Sequence, residues 1–162
     1  MNIDTVVTTH IACDLKTAFK GASSTEDLPR IFPGKGPIPG VVKAEVVGGG
    51  PIVAGAVRRV QTNDGAVLDE TYTHFNQPTD YGYEMTKMKP PLSLFMRKAT
   101  GAWVFTSEAN GTRIVWTYSC ELTNPLVAPI AALIAEYMSD KVEATTRAVN
   151  VLALKPCSAC ST

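Results

Sequence analysis

One stretch, Val67 to Asn76, gathers the side chains best suited to moving protons: Glu70, Tyr72 and His74 fall at alternate positions. In an extended chain alternate residues share a face, so a carboxylate, a phenol and an imidazole would project together with Leu68. If Leu68 points toward a core, Glu70 or His74 can serve as a general base, and Tyr72 or an arginine can stabilise an enolate. A buried carboxylate then needs a cation beside it, because an unpaired one is costly. The preceding strand offers Arg58 and Arg59, one of which alternation turns to the same side. In the opposite register Val67 and Phe75 would face inward, leaving Glu70 and His74 solvated. Alternation alone permits both registers.

These residues need a sheet to hold them, and the chain supplies the elements in order. Thr5 to Ile11 is β-branched and predicts a first strand. Asp14 can cap a short helix through Phe19, and Ser23-Ser24-Thr25-Glu26 a second one through Leu28. After the Pro/Gly-rich loop Phe32–Gly40, strands are predicted at Val41–Val47, Ile52–Gln61, Val67–Asn76, Tyr81–Met88, Arg97–Ser107 and Arg113–Thr123. Gly48–Pro51, Asn63-Asp64-Gly65, Gln77–Asp80 and Asn110-Gly111 supply the turns. Alternation sends Tyr81, Tyr83 and Met85 inward, with Trp103 and Phe105, and with Ile114, Trp116, Tyr118, Cys120 and Leu122.

Asn124 can then cap, and Pro125 open, a long helix running to about Leu154. Leu126, Ile130, Leu133, Ile134, Tyr137 and Met138 recur at three- and four-residue spacing along it. Its apolar face needs cover, which a curled antiparallel meander provides. The fold class expected is α+β: a curved sheet of six to seven antiparallel strands, two short helices plugging one end, and a long C-terminal helix over an internal cavity. Arg58, Tyr83, Met85, Trp103, Phe105, Trp116, Tyr118, Ile134, Tyr137 and Met138 would line that cavity, and either Arg58 or Arg59 could pair with Glu70. Arg97 could hold a ligand carboxylate or phosphate at its mouth, although such an arginine is equally at home on a surface.

At 162 residues, one domain over 1–154 with a tail at 155–162 fits the chain. Fifteen basic and fifteen acidic residues cancel, which argues against nucleic acid or an anionic membrane as the main partner. No apolar run approaches the roughly 20 residues needed to span a bilayer, and Met1–Val7 lacks the layout of a signal peptide. A cytoplasmic location is expected. Two histidines and scattered carboxylates offer no metal constellation, and no cofactor is expected. No Ser-His-Asp set or nucleophile elbow can be read. Cys13 and Cys120 read as buried thiols, and Cys157-Ser-Ala-Cys160 has CxxC spacing without the helix start or second ligand pair that such chemistry needs. The oligomeric state is open, a homodimer included.

Three local patterns carry a resemblance that spans roughly Thr5 to Leu154. They are the turn Val47-Gly48-Gly49-Gly50; Gly55-Ala-Val-Arg-Arg-Val60 with Asp64-Gly65 and Leu68-Asp-Glu-Thr-Tyr72; and Trp103-Val-Phe105 with Gly111-Thr-Arg-Ile-Val-Trp116-Thr-Tyr118. The glycine-rich turn is no phosphate-binding loop, since no Gly-Lys-Ser/Thr follows it. With the element order, these patterns resemble the helix-grip (START-like, SRPBCC) superfamily, and the Trp-containing pair resembles its polyketide cyclase/dehydrase branch. The resemblance implies a cavity for small hydrophobic or amphipathic molecules but no particular reaction, because the superfamily hosts carriers, receptors and cyclases alike. Two functions are therefore expected to compete. One is binding or transport of a hydrophobic or aromatic ligand such as a lipid, polyketide or quinone. The other is a cyclase, dehydratase or isomerase using Glu70 and His74 as acid–base groups.

Overall fold

A computed structural model of the chain describes residues 2–34, 39–86, 88, 92–127 and 129. β-Branched Thr5, Val6, Val7, Thr8 and Thr9 favour an extended backbone, and they lie in the first strand, β1 (Asn2–Ile11). Asp14 ends the extended run by capping α1 (Leu15–Ser23), its Oδ1 accepting from the backbone N–H of Lys16 and Thr17 at 3.0 and 3.1 Å. Ala18, Phe19, Ala22 and Ser23 form the buried face of α1. The second helix, expected to end at Leu28, instead begins there as α2 (Leu28–Ile31). Pro29 accounts for the shift, because its missing N–H is tolerated only at a helix start.

The Asp14 cap carries a pH signature. Hydrogen bonds from Thr17 hold its carboxyl below the ordinary value of 3.8. A lowered folded-state value means the cap's contribution is present above about pH 4 and is lost as pH falls through the lowered value. Asp14→Asn keeps an acceptor but cannot titrate. Thermal melts at about pH 6 and about pH 3 should show a smaller drop in Tm for the variant than for the wild type. Equal drops would rule out this role.

Six more strands follow: β2 (Val41–Val46), β3 (Val57–Thr62), β4 (Val67–Asn76), β5 (Asp80–Met85), β6 (Met96–Glu108) and β7 (Gly111–Leu122), with a short α3 (Leu92–Phe95) before β6. They form one antiparallel curved sheet in the order β1-β7-β6-β5-β4-β3-β2, so consecutive strands from β2 to β7 are neighbours and β1 joins at the far margin. The β3–β4 hairpin turns at Gly65, whose φ of 83° suits glycine at the turn Asn63-Asp64-Gly65. β3 is shorter than the expected Ile52–Gln61. Its first half is an irregular turn in which Gly55 N–H donates to Tyr72 O and Tyr72 N–H to Ala56 O, at 2.8 and 2.9 Å.

One face of the sheet is buried. In β7, Thr112, Ile114, Trp116, Tyr118, Cys120 and Leu122 alternate without a break between buried and partly exposed neighbours. From β5 and β6 the same face receives Tyr81, Tyr83, Met85, Met96, Ala99, Trp103 and Phe105. Helix α1 packs across β6 and β7 while α2 lies beside β2, so the two helices connect opposite margins of the sheet. Phe19 anchors α1, meeting Phe75, Tyr81 and Phe105 edge-on at centroid distances of 5.2, 5.6 and 5.2 Å. Tyr81 Oη donates to Ala22 O at 3.0 Å, and Thr112 Oγ1 to Cys13 O at 2.8 Å.

The long C-terminal helix expected from Asn124 to Leu154 falls almost wholly outside the described residues, as do Ile134, Tyr137 and Met138. Its start falls inside them. Asn124 Oδ1 accepts from the Leu126 N–H at 2.9 Å, and Pro125–Val127 forms a 3-10 turn. Leu126 is 85% exposed, so it does not join a buried stripe.

Candidate functional site

Register decides which arginine enters the interior. Arg58 stands opposite Glu70, and Arg59 opposite Asp69. The outer pair is a two-pronged surface ion pair, with Arg59 Nε and Nη2 each 2.8 Å from an Asp69 oxygen. The inner pair is buried, its side chains 3% and 11% exposed. Arg58 Nε and Nη2 both lie 2.6 Å from Glu70 Oε2. Burial disfavours the guanidinium charge more than any one neighbour favours it, but the Glu70 carboxylate together with Tyr72, Tyr81 and Tyr83 holds Arg58 above its ordinary value. The guanidinium also sits over two rings, 5.4 Å from the Tyr72 centroid and 5.9 Å from that of Tyr83.

From this pair an aromatic wall runs across the sheet. Tyr72 faces Tyr83 in register, Tyr83 faces Gly101, Gly101 faces Tyr118, and Trp103 faces Trp116. Ring centroids are 5.6 Å apart for Trp103–Trp116 and 5.2 Å for Trp116–Tyr118. Burial raises the phenols of Tyr72, Tyr81, Tyr83 and Tyr118, so all four stay protonated. Three buried polar atoms on this face lack a hydrogen-bond partner among the described residues: Arg58 Nη1, Tyr72 Oη and Trp116 Nε1. Arg58 lies near enough to Tyr72, and Trp116 to Tyr83, to act on their charge, yet neither contact has hydrogen-bond geometry. Each unmade bond costs about 1–3 kcal/mol.

The structure separates the expected trio. Glu70 and Tyr72 face inward with Leu68, but His74 does not. The β4–β5 register slips between Tyr72, which opposes Tyr83, and His74, which opposes Gly82. That extra residue is a β-bulge, and it reverses the alternation beyond Thr73. Phe75 therefore points inward, 5.2 Å from Phe19 and 5.5 Å from Tyr72 by centroid. The His74 ring lies outside, over Gly82, where a β-carbon would collide with it. Its Nε2 is 3.4 Å from Asp80 Oδ1, and its Nδ1 is 3.1 Å from Thr73 Oγ1. Each of the two possible registers thus describes one half of the strand. Arg97 is exposed beside the register shift at Met96/Lys98 and donates to Thr123 O at 3.4 Å.

Tyr83, Met85, Trp103, Phe105, Trp116 and Tyr118 all lie on the inner face. Missing from the sequence-based set are Phe19, Phe75 and Met96, which pack in the same cluster. The spacing of Ala18, Phe19, Ala22 and Ser23 along α1 is the signal for Phe19; Phe75 was inward only in the register that turned Glu70 outward. Among the described residues, no group of three or more His, Cys, Asp or Glu side chains could hold a metal. Cys13 is half-buried and Cys120 buried, both thiols pushed up chiefly by burial. Cys157 and Cys160 fall outside the described residues.

Gly101 is the tightest point of the wall. A β-carbon there would lie 2.8 Å from Tyr83 Cε1 and nearer still to the ring's hydroxyl end. Gly101→Ala must push Tyr83 off the sheet, and overpacking of this kind costs about 1–3 kcal/mol. The urea midpoint should fall accordingly, and Tyr83→Leu in the same chain should restore most of it. An unchanged midpoint in the single variant would show that Tyr83 does not lie across Gly101.

The family described as polyketide cyclase / dehydrase and lipid transport matches residues 2–150. Among solved structures, the fold is similar to that of Ara h 8.0201, with a TM-score of 0.74 and 15% identity over 95% of this chain and 99% of that one. It is also similar to the di-domain ARO/CYC protein BexL from the BE-7585A biosynthetic pathway, with a TM-score of 0.72 and 17% identity over 94% of this chain. This chain spans 50% of BexL. Major latex-like protein 151 from Panax ginseng gives a TM-score of 0.71 and 13% identity over 95% of this chain and 99% of its own. No curated protein matches the sequence. Among the described residues, no helix is long and apolar enough to cross a membrane.

Proposed function

The chain belongs to the polyketide cyclase / dehydrase and lipid transport family, and from that premise we propose that it binds a small hydrophobic or aromatic molecule against the inner face of its sheet. The observation that carries this reading is the wall of Tyr72, Tyr83, Trp103, Trp116 and Tyr118, interrupted by buried polar atoms without partners. A solid core tends to satisfy its polar atoms internally, whereas a binding face leaves a few directed at the guest.

Binding is favoured over acid–base catalysis by the positions of Glu70 and His74. The cyclase-type alternative needs both in one cavity. Glu70 Oε2 already accepts from Arg58 Nε and lies in ion-pair contact with Nη2, and His74 lies on the opposite face of the sheet. A cyclase reading would then rest on Tyr72 and Arg58 without the imidazole.

Titration with the neutral fluorescent probe N-phenyl-1-naphthylamine tests the proposal. Uptake should saturate at one probe per chain and quench tryptophan emission, and His74→Ala should leave the affinity within several-fold. Linear, unsaturable partitioning would remove the proposal.

A further inference from the structure

The two ends of the sheet are built differently. β2, at one end, has six residues, a register shift between Val41 and Lys43, the ion pair Lys43–Glu45 at 2.6 Å, and α2 beside it. Short length, a bulge, charge and a covering helix are the devices that keep a strand edge from pairing with another chain. β1, at the other end, is ten residues long, keeps unbroken register with β7, and contains no Lys, Arg, Pro or Gly. Among the described elements, β7 is its main contact. The hydrogen-bond ladder fixes what this edge presents. Phe105 N–H donates to Thr79 O at 2.8 Å, on the β5 side, so odd-numbered residues of β6 bond toward β5 and even-numbered ones toward β7. Even residues of β6 pair with odd ones of β7, which leaves the even residues of β7 to bond the odd residues of β1. Asp4, Val6, Thr8 and His10 therefore aim their backbone N–H and C=O groups away from the sheet. Among the described residues, no backbone bond outside the ladders reaches Asn2–Ile11.

We infer that the β1 edge takes a second copy of this chain, antiparallel about a two-fold axis at Val7, joining the two sheets into one. In that register Asp4 stands opposite the partner's His10 and Val6 opposite the partner's Thr8, and the outward groups exchange about eight hydrogen bonds. Charge selects the register. An axis at Val6 sets Asp4 against the partner's Thr8, and an axis at Asp4 or His10 sets like groups together; an axis at Val7 opposes carboxylate to imidazole at both ends. His10 Nδ1 is held by Glu108 Oε2 at 2.9 Å, leaving Nε2 for the partner's carboxylate. The inner face of the sheet plays no part in this pairing.

Sedimentation equilibrium between about 1 and about 200 μM protein is the test, and the mass should rise from one chain toward two. Val6→Pro removes a donor from the free edge while leaving the β7 ladder intact, so it should hold the mass at one chain. Val6 is 63% exposed, so Val6→Lys should fold normally and weaken association about tenfold or more; it decides if the proline variant does not fold. Register is read by cross-linking. The two Val7 residues would face each other at a non-hydrogen-bonded position, with Cα atoms about 4.5 Å apart, which a disulfide can bridge. Under mild oxidation Val7→Cys should therefore form far more covalent dimer than the wild type does through its own cysteines. Association untouched by both Val6 variants, or Val7→Cys cross-linking no better than the wild type, overturns the inference. A mass of one chain at every concentration also overturns it, leaving the edge to a strand of another protein.

Discussion

Arg58→Ala is expected to destabilise the protein by about 3–5 kcal/mol, because it strands a buried carboxylate rather than merely deleting a contact. The Arg58 side chain is 3% exposed, and its Nε hydrogen bond and Nη2 ion-pair contact converge on a single Glu70 oxygen. With the guanidinium gone, Glu70 must take up a proton or draw water into the interior. The urea midpoint should drop, and the loss should shrink as pH is lowered, since protonation then relieves the stranded charge. Removing both charges, as in Arg58→Met with Glu70→Leu, should recover most of the stability. By contrast, Arg59→Ala on the outer face should cost little, because its pair with Asp69 is exposed to water. A loss below about 1 kcal/mol for Arg58→Ala would show that the inner pair is not desolvated.

Phe19→Ala should cost nearly as much, about 3–5 kcal/mol, for a different reason. Phe19 is 3% exposed and is the one residue of α1 that reaches three aromatic rings from three strands. Truncating it opens a cavity between α1 and the sheet and loosens the contact that Tyr81 Oη makes with Ala22 O. Differential scanning calorimetry should show a lower Tm with a single transition still present. A variant that retained its Tm would mean that α1 is held by its backbone contacts alone.

The sheet was legible because its strands obey simple rules. The turn signals at Asn63-Asp64-Gly65 and Asn110-Gly111 mark where strands end, and the alternation through β7 marks the inner face of that strand without any long-range knowledge. The choice between Arg58 and Arg59 was not legible, since two adjacent arginines present one to each face until the register with Glu70 is known. His74 and Phe75 were lost to the bulge at Thr73. One inserted residue costs little locally and leaves no compositional mark, yet it flips every side chain beyond it. Only Gly82 hinted at it, as a strand glycine leaves room for a side chain above it. The partnerless atoms could not be foreseen at all, because whether a buried donor is satisfied depends on distances that alternation does not supply.

The most direct measurement of the binding claim is to locate a guest on the protein. Intermolecular NOEs from N-phenyl-1-naphthylamine should reach the ring protons of Tyr83, Trp116 and Tyr118 on the inner face. NOEs confined to Val6 and Val104, which are 63% and 47% exposed, with the inner aromatic resonances unmoved, would contradict it.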